Sequence, residues 1–77
     1  MKRDEQTRKK KIAKIYNTIL DAKKQGVGIN KNKIIAIMGL DIGISRRTVM
    51  EYIRTLVDSD QILEEKDDNG ETILWIK

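Results

Sequence analysis

The spacing of the apolar residues changes once along this chain, and that change limits the fold more than any other feature. Up to about residue 58 they recur every three to four positions, the period of amphipathic helices. Beyond that point they fall in two short runs, residues 61–66 and 71–77, on either side of an Asn-Gly pair. Asn-Gly between two such runs is typical of a β-hairpin. We therefore expect an α+β fold with three helices, a short strand and a hairpin at the end of the sequence.

Glycines and capping residues divide the helical part into three segments. Gly26 follows the first segment and Gly43 follows the second, each in the position of a helix C-cap. Asn30 and Ser45 stand where the second and third helices need N-caps. Residues 27–29 are long enough for only one edge of a small sheet. The residues expected to face the core are Ile12, Ile15, Tyr16, Ile19 and Leu20 in the first helix, Ile34, Ile35, Met38 and Ile42 in the second, and Val49, Ile53, Leu56 and Val57 in the third.

The sequence leaves the register of the hairpin open. A two-residue loop pairs Asp68 with Glu71 and places like charges opposite each other, which is unfavourable. A four-residue loop pairs Lys66 with Glu71 and Leu63 with Leu74. We favour this second register.

The residue types that are missing narrow the chemistry. The 77 residues include no Cys, His, Pro or Phe. Without Cys there are no disulfides or thiolate ligands, and without His the commonest general base and metal ligand is absent. A domain of this size is also too small to enclose a substrate pocket of several hundred Å³. We expect no enzyme, no cofactor and no metal site, and the acidic cluster at residues 67–71 lacks the spacing of an EF-hand calcium loop.

The hydropathy and charge of the chain bear on its location and partners. No apolar run approaches the roughly 20 residues that span a bilayer, and residues 1–11 are too polar for a signal peptide. We expect a cytoplasmic protein with no membrane partner and no small-molecule ligand. Residues 1–24 carry a net charge of +6, residues 25–58 of +2 and residues 59–77 of −4, for a total of +4. This asymmetry favours a polyanionic partner for the basic part.

Residues 35–54 contain the motif that is most informative about function. Gly39 is the small residue expected where the second helix touches the third, and Gly43 can take the positive φ that a sharp turn needs. Ile42 and Ile44 on either side of Gly43 are expected to enter the core, and Ser45 caps the next helix. This spacing resembles the helix-turn-helix of DNA-binding proteins. With the hairpin behind it, the order over residues 10–77 resembles a winged helix-turn-helix domain.

The resemblance implies an α+β winged helix in which the hairpin, residues 61–77, is the wing. The Ile- and Lys-rich, Cys-free composition is similar to that of the small free-standing regulators of crenarchaeal viruses and plasmids. The family inserts its third helix, here about residues 46–58, into the major groove of double-stranded DNA. The implied function is sequence-specific binding by a transcriptional regulator, working as a homodimer and associated with the nucleoid when bound.

A helical wheel of the third helix shows which side chains face outward when Val49 and Ile53 face the core. Arginine can bind guanine O6 and N7 bidentately, and glutamate can accept from cytosine N4. The candidate base-reading residues are Arg46, Arg47, Met50, Glu51 and Arg54. Their alternative role is that of a solvated helix face with internal ion pairs. Tyr52 is expected to flank the core, and Trp75 to pack under the sheet.

Phosphate contacts are expected from the basic arm, from the start of the third helix and from further lysines along the chain. Residues 1–9 form a basic arm or an extension of the first helix back to about residue 4. The hydroxyls of Ser45 and Thr48, with the first N–H groups of the third helix, suit a phosphate. The candidate phosphate contacts are Ser45, Thr48, Lys9, Lys10, Lys11, Lys14, Lys31, Lys33 and Lys66, and the arm adds Lys2, Arg3 and Arg8.

Two departures from the family pattern affect these expectations. Asp60 stands where a glycine commonly separates the third helix from the wing. The wing tip is acidic, whereas family wings often contact DNA through Arg or Lys, so we expect the tip to make no strong DNA contact. The alternative function is a winged helix used for protein–protein contact in a transcription or replication complex.

Overall fold

Three helices precede a small antiparallel sheet in the computed structural model, which describes the backbone of residues 2–77 and the side chains of residues 7–77. The sheet has three strands in the order β1-β3-β2. This arrangement confirms the expected α+β class. The elements are α1 (Lys2–Lys24), β1 (Ile29–Asn30), α2 (Lys31–Ile42), α3 (Arg46–Asp58), β2 (Ile62–Lys66) and β3 (Thr72–Ile76).

The helix boundaries follow the predicted caps. Asn30 accepts a hydrogen bond from the backbone N–H of Asn32 at 2.8 Å and caps α2. Gly43 ends α2 with φ of +66°, which an L-residue adopts only at a cost. The N–H of Ile44 then donates to the carbonyl of Met38 at 3.4 Å. The reversal between α2 and α3 therefore depends on Gly43, as predicted.

The core lies between the three helices and one face of the sheet. Its buried residues come from every element except β1, whose Ile29 packs against them half-buried, as do Ile42 and Tyr52. The predicted stripes of all three helices contribute to it. The buried residues are Ile15, Ile19, Ile34, Met38, Ile44, Val49, Ile53, Leu56, Ile62 and Leu74.

Gly39 does not have the role that the motif assigns to it. The residue is exposed. A Cβ added there would have the carbonyl oxygen of Ile44 as its nearest neighbour, at 3.8 Å, which is an ordinary van der Waals distance. The expected close helix–helix contact at Gly39 is therefore wrong, because the position is exposed and has room for a side chain.

The hairpin has neither of the two registers considered from the sequence. Lys66 pairs with Thr72 and Leu63 pairs with Trp75, which leaves a loop of residues 67–71. The N–H of Gly70 donates to the carbonyl of Asp67 at 3.0 Å, and Gly70 has φ of +79°. This is a turn closed by a glycine bulge. The bulge adds one residue to the loop, and the pairing shifts by one.

Trp75 lies on the face of the sheet opposite the core. Leu74 is buried in the core, and neighbouring strand residues point to opposite faces. Trp75 is half-buried against Gly28, where a Cβ would lie 2.7 Å from Cε2 of the indole. The prediction that Trp75 packs under the sheet is wrong. We call the surface formed by Leu63, Ile73 and Trp75 the outer sheet face.

Candidate nucleic-acid interface

The start of α3 is fixed by Ser45. Its backbone is extended, and its Oγ accepts from the N–H of Thr48 at 3.3 Å while donating to Oγ1 of Thr48 at 3.0 Å. The N–H groups of Arg46 and Arg47 have no carbonyl acceptor within the helix, as at any helix start. Both hydroxyls predicted to bind phosphate thus contact each other, beside a helix end whose N–H groups suit an anion.

The outward face of α3 carries the five candidate base-reading residues. Val49, Ile53 and Leu56 hold the opposite face in the core. The side chains of Arg47 and Arg54 are 92% and 82% exposed, so neither contributes to the core.

These five residues line one open groove on the surface, which we call the α3 groove. Its volume is about 770 Å³. We expected a domain of this size to be too small to enclose a pocket of several hundred Å³. The groove reaches this volume because it is an open cleft rather than an enclosed pocket. Its walls are α3 on one side and the start of α2 with β2 on the other. The lining residues are Lys31, Arg46, Arg47, Met50, Glu51, Ile53, Arg54, Val57, Asp58 and Glu64.

Two arginines of the α3 groove have acidic neighbours on the same helix. Arg47 Nε lies 3.9 Å from Glu51 Oε1, and Arg54 Nε lies 4.0 Å from Asp58 Oδ2. Exposed pairs of this kind stabilise by about 0–1 kcal/mol. The internal pairing considered as an alternative is therefore present, but it is weak enough for a stronger partner to replace.

Asp58 and Glu64 are groove residues that sequence reasoning did not select. The position of Asp58, one turn after Arg54, was visible in the sequence as an i,i+4 pair. Glu64 reaches the groove through its ion pair with Lys31, at 3.5 Å. No sequence signal links those two residues, because their contact depends on the sheet.

The other candidate phosphate contacts are distributed over several surfaces. Lys9, Lys10, Lys33 and Lys66 are exposed, and Lys11 is half-buried. Lys14 lies 3.9 Å from Asp41 of α2. Lys14 and Lys31 thus have carboxylate partners within the protein.

The basic arm is a helical extension that runs beside α3. The guanidinium of Arg8 lies over the ring of Tyr52, 5.8 Å from its centroid. One turn further along both helices, Ile12 and Leu56 line a shared apolar groove of about 300 Å³. At these two contacts the helices run in the same direction. The side chains of Lys2 and Arg3 lie outside the described residues.

The acidic wing tip makes contacts within the protein. Asp67 Oδ1 accepts from the N–H groups of Asn69 and Glu71, each at 2.9 Å. Glu71 accepts in turn from the side-chain amide of Asn30. Part of the acidity of the wing thus serves to close its loop and join it to β1.

No protein-family model matches the sequence, and comparisons with curated proteins and with solved structures find no match. The order of three helices and a C-terminal antiparallel hairpin is winged-helix-like. Among the described residues, no helix is long and apolar enough to cross a membrane. Within the same part of the chain, no three metal-ligating side chains cluster closely enough to hold an ion.

Proposed function

We propose that this protein binds double-stranded DNA sequence-specifically, with the first turns of α3 in the major groove, and acts as a transcriptional regulator. The observation that carries the proposal is the outward face of α3. Three arginines, a glutamate and a methionine line one groove there, on a helix whose other face is anchored by the core. A rigid helix with long, exposed donors is suited to reach base edges.

The spacing of the arginines supports this chemistry. Arg47 and Arg54 are seven residues apart, or about 10 Å along the helix, which is close to three base-pair steps. Each has an exposed guanidinium whose only nearby partner in the described chain is a weak i,i+4 carboxylate. Replacing such a partner by guanine O6 and N7 costs little, because the exposed ion pair contributes little.

Phosphates on either side of the inserted helix supply affinity in this proposal. The first N–H groups of α3 suit one phosphate. The exposed lysines at the start of α1, Lys9 and Lys10, would neutralise further phosphates. We propose a homodimer, because one α3 offers few base contacts and two half-sites raise both affinity and specificity.

The proposal is tested by selecting binding sequences from random duplexes and measuring affinity for the enriched site. Arg47→Ala and Arg54→Ala should each weaken binding to that site by about 1–3 kcal/mol if the side chain contacts a base. Lys23→Ala is the matched control, since it removes the same charge at the far end of α1. A two-fold symmetric site with half-sites about one helical turn apart is expected for a homodimer.

Affinities within a factor of two of wild type for both arginine variants would show that α3 does not read DNA. The enriched site would then have to be recognised by another surface. A selection that enriches no sequence would contradict sequence-specific binding altogether.

A protein–protein module is the second candidate function, and one surface favours it. On the outer sheet face, Leu63 is 45% exposed and Trp75 is half-buried. Exposed apolar patches often mark protein contacts. Leu63→Glu would abolish binding of a protein partner at this face and leave DNA affinity unchanged. Arg54→Ala would lower DNA affinity and leave binding of the protein partner unchanged.

A further inference from the structure

An apolar side chain stands in the middle of the charged face of α3. Met50 is 40% exposed. It follows Arg46 by one helical turn and precedes Arg54 by one turn, and residues four apart on a helix are neighbours. Met50 therefore lies between two arginines along the same side of the helix. Its exposed apolar surface gains free energy when a partner covers it.

The surroundings of Met50 define the chemistry of that partner. Val57, which is half-buried, adds apolar surface to the α3 groove, and the three arginines line the same groove. A fitting partner offers a small apolar group flanked by hydrogen-bond acceptors. Among unmodified bases in the major groove, the methyl group at C5 of thymine is the one such apolar group, and guanine offers two acceptors.

We infer that Met50 contacts the 5-methyl group of a thymine, an inference that rests on the proposed function. Four residues of helix span about 6 Å, which corresponds to about two base-pair steps. The preferred DNA site thus contains a thymine within about two base pairs of the bases met by Arg46 or Arg54. Met50 sets specificity at that thymine through a contact that the arginines cannot make.

The test uses the site enriched by selection and replaces its thymines with deoxyuridine one at a time. This change removes only the 5-methyl group. Wild-type affinity should fall about three- to fivefold at one thymine, because a single methyl group is no longer buried. In Met50→Ala the same replacement should leave affinity unchanged, while Met50→Leu, which keeps an apolar side chain of similar volume, should retain the sensitivity.

Two further variants make the result specific to Met50. Leu63→Ala truncates an exposed apolar side chain on the outer sheet face and should keep the full deoxyuridine effect. Met50→Gln, of similar length but polar, repeats the test if Met50→Ala does not fold, which circular dichroism would show.

The outcomes separate the inference from the proposed function. A deoxyuridine effect of equal size in wild type and Met50→Ala, or none at any thymine, overturns the inference while sequence-specific binding stands. Affinity could instead rise when a cytosine is replaced by 5-methylcytosine and stay unchanged at every deoxyuridine replacement. That result would mean that Met50 contacts the methyl group of a modified base, and it would overturn the thymine contact. A selection that enriches no sequence ends the proposed function and the inference together.

Discussion

At the scale of single residues, Gly39 occupies a helix position where no neighbour requires a glycine. The site is exposed, and an added Cβ would meet no atom closer than 3.8 Å among the described residues. Glycine inside a helix is less favourable than alanine because it loses more backbone entropy on folding. We expect Gly39→Ala to raise the free energy of unfolding by about 0.5–1 kcal/mol, measured by urea denaturation.

Gly43→Ala is the control, because its expected effect on the free energy of unfolding has the opposite sign. Gly43 has φ of +66°, so alanine there should lower the free energy of unfolding by about 1–2 kcal/mol. If Gly39→Ala instead destabilised the protein as much as Gly43→Ala does, α2 and α3 would be in the tight contact that the motif suggested.

At the scale of elements, the end of α3 is built on a residue that is unusual there. The N–H of Asp60 donates to the carbonyl of Val57 at 3.0 Å, and that of Gln61 donates to the carbonyl of Leu56 at 2.9 Å. These two bonds form a Schellman motif, whose left-handed position is most often glycine. Asp60 holds it with φ of +68°, and its carboxylate contacts Lys77. The motif directs the chain from α3 into β2, so the end of the helix determines where the wing begins.

Asp60→Gly should raise the free energy of unfolding by about 0.5–1 kcal/mol, since relief at the left-handed position outweighs an exposed ion pair. Thermal denaturation followed by circular dichroism measures it. Asp60→Asn is the matched control, because it keeps a side chain that tolerates this conformation and removes only the charge. A glycine variant less stable than the asparagine variant would mean that Asp60 is not strained.

At the scale of the whole molecule, charge is separated between α1 and the wing. The first 24 residues carry +6 and the last 19 carry −4. In the proposed function, the lysines of α1 supply phosphate contacts that the acidic wing does not. The wing carries only two basic residues, Lys66 and Lys77, and part of its acidity closes its own loop.

The separation predicts an unequal response to salt. Replacing Lys9 and Lys10 by Gln should flatten the plot of log affinity against log salt by about 0.9 for each phosphate that the variant no longer neutralises. Gel shifts at several salt concentrations measure the slope. Replacing Lys23 and Lys24 by Gln removes the same charge from the last turn of α1 and should leave the slope unchanged. Equal flattening by both double variants would show that net charge acts without a defined phosphate contact.

Local chemistry explains which parts of the fold were predictable. Asn30, Gly43 and Ser45 determine helix ends through bonds to residues at most five positions away, so their roles can be derived from sequence. The hairpin register was missed because Asp67 and Gly70 stabilise a longer loop, and spacing alone does not distinguish loops that differ by one residue. Trp75 was misplaced because the spacing of residues 71–77 does not show which alternate positions of the strand face the core.

The sequence by itself determined the order of the elements, the α+β class and the outward face of α3, because helical period, caps and the Asn-Gly turn are local properties. Only the tertiary structure decided that α1 packs against Tyr52 and Leu56 of α3, that Lys31 meets Glu64 on the wall of the α3 groove opposite α3, and that Gly39 has room for a side chain. These features depend on how distant segments pack around a shared core. The candidate residues were thus readable along the chain, while the groove that brings them together exists only once the sheet closes beside α3.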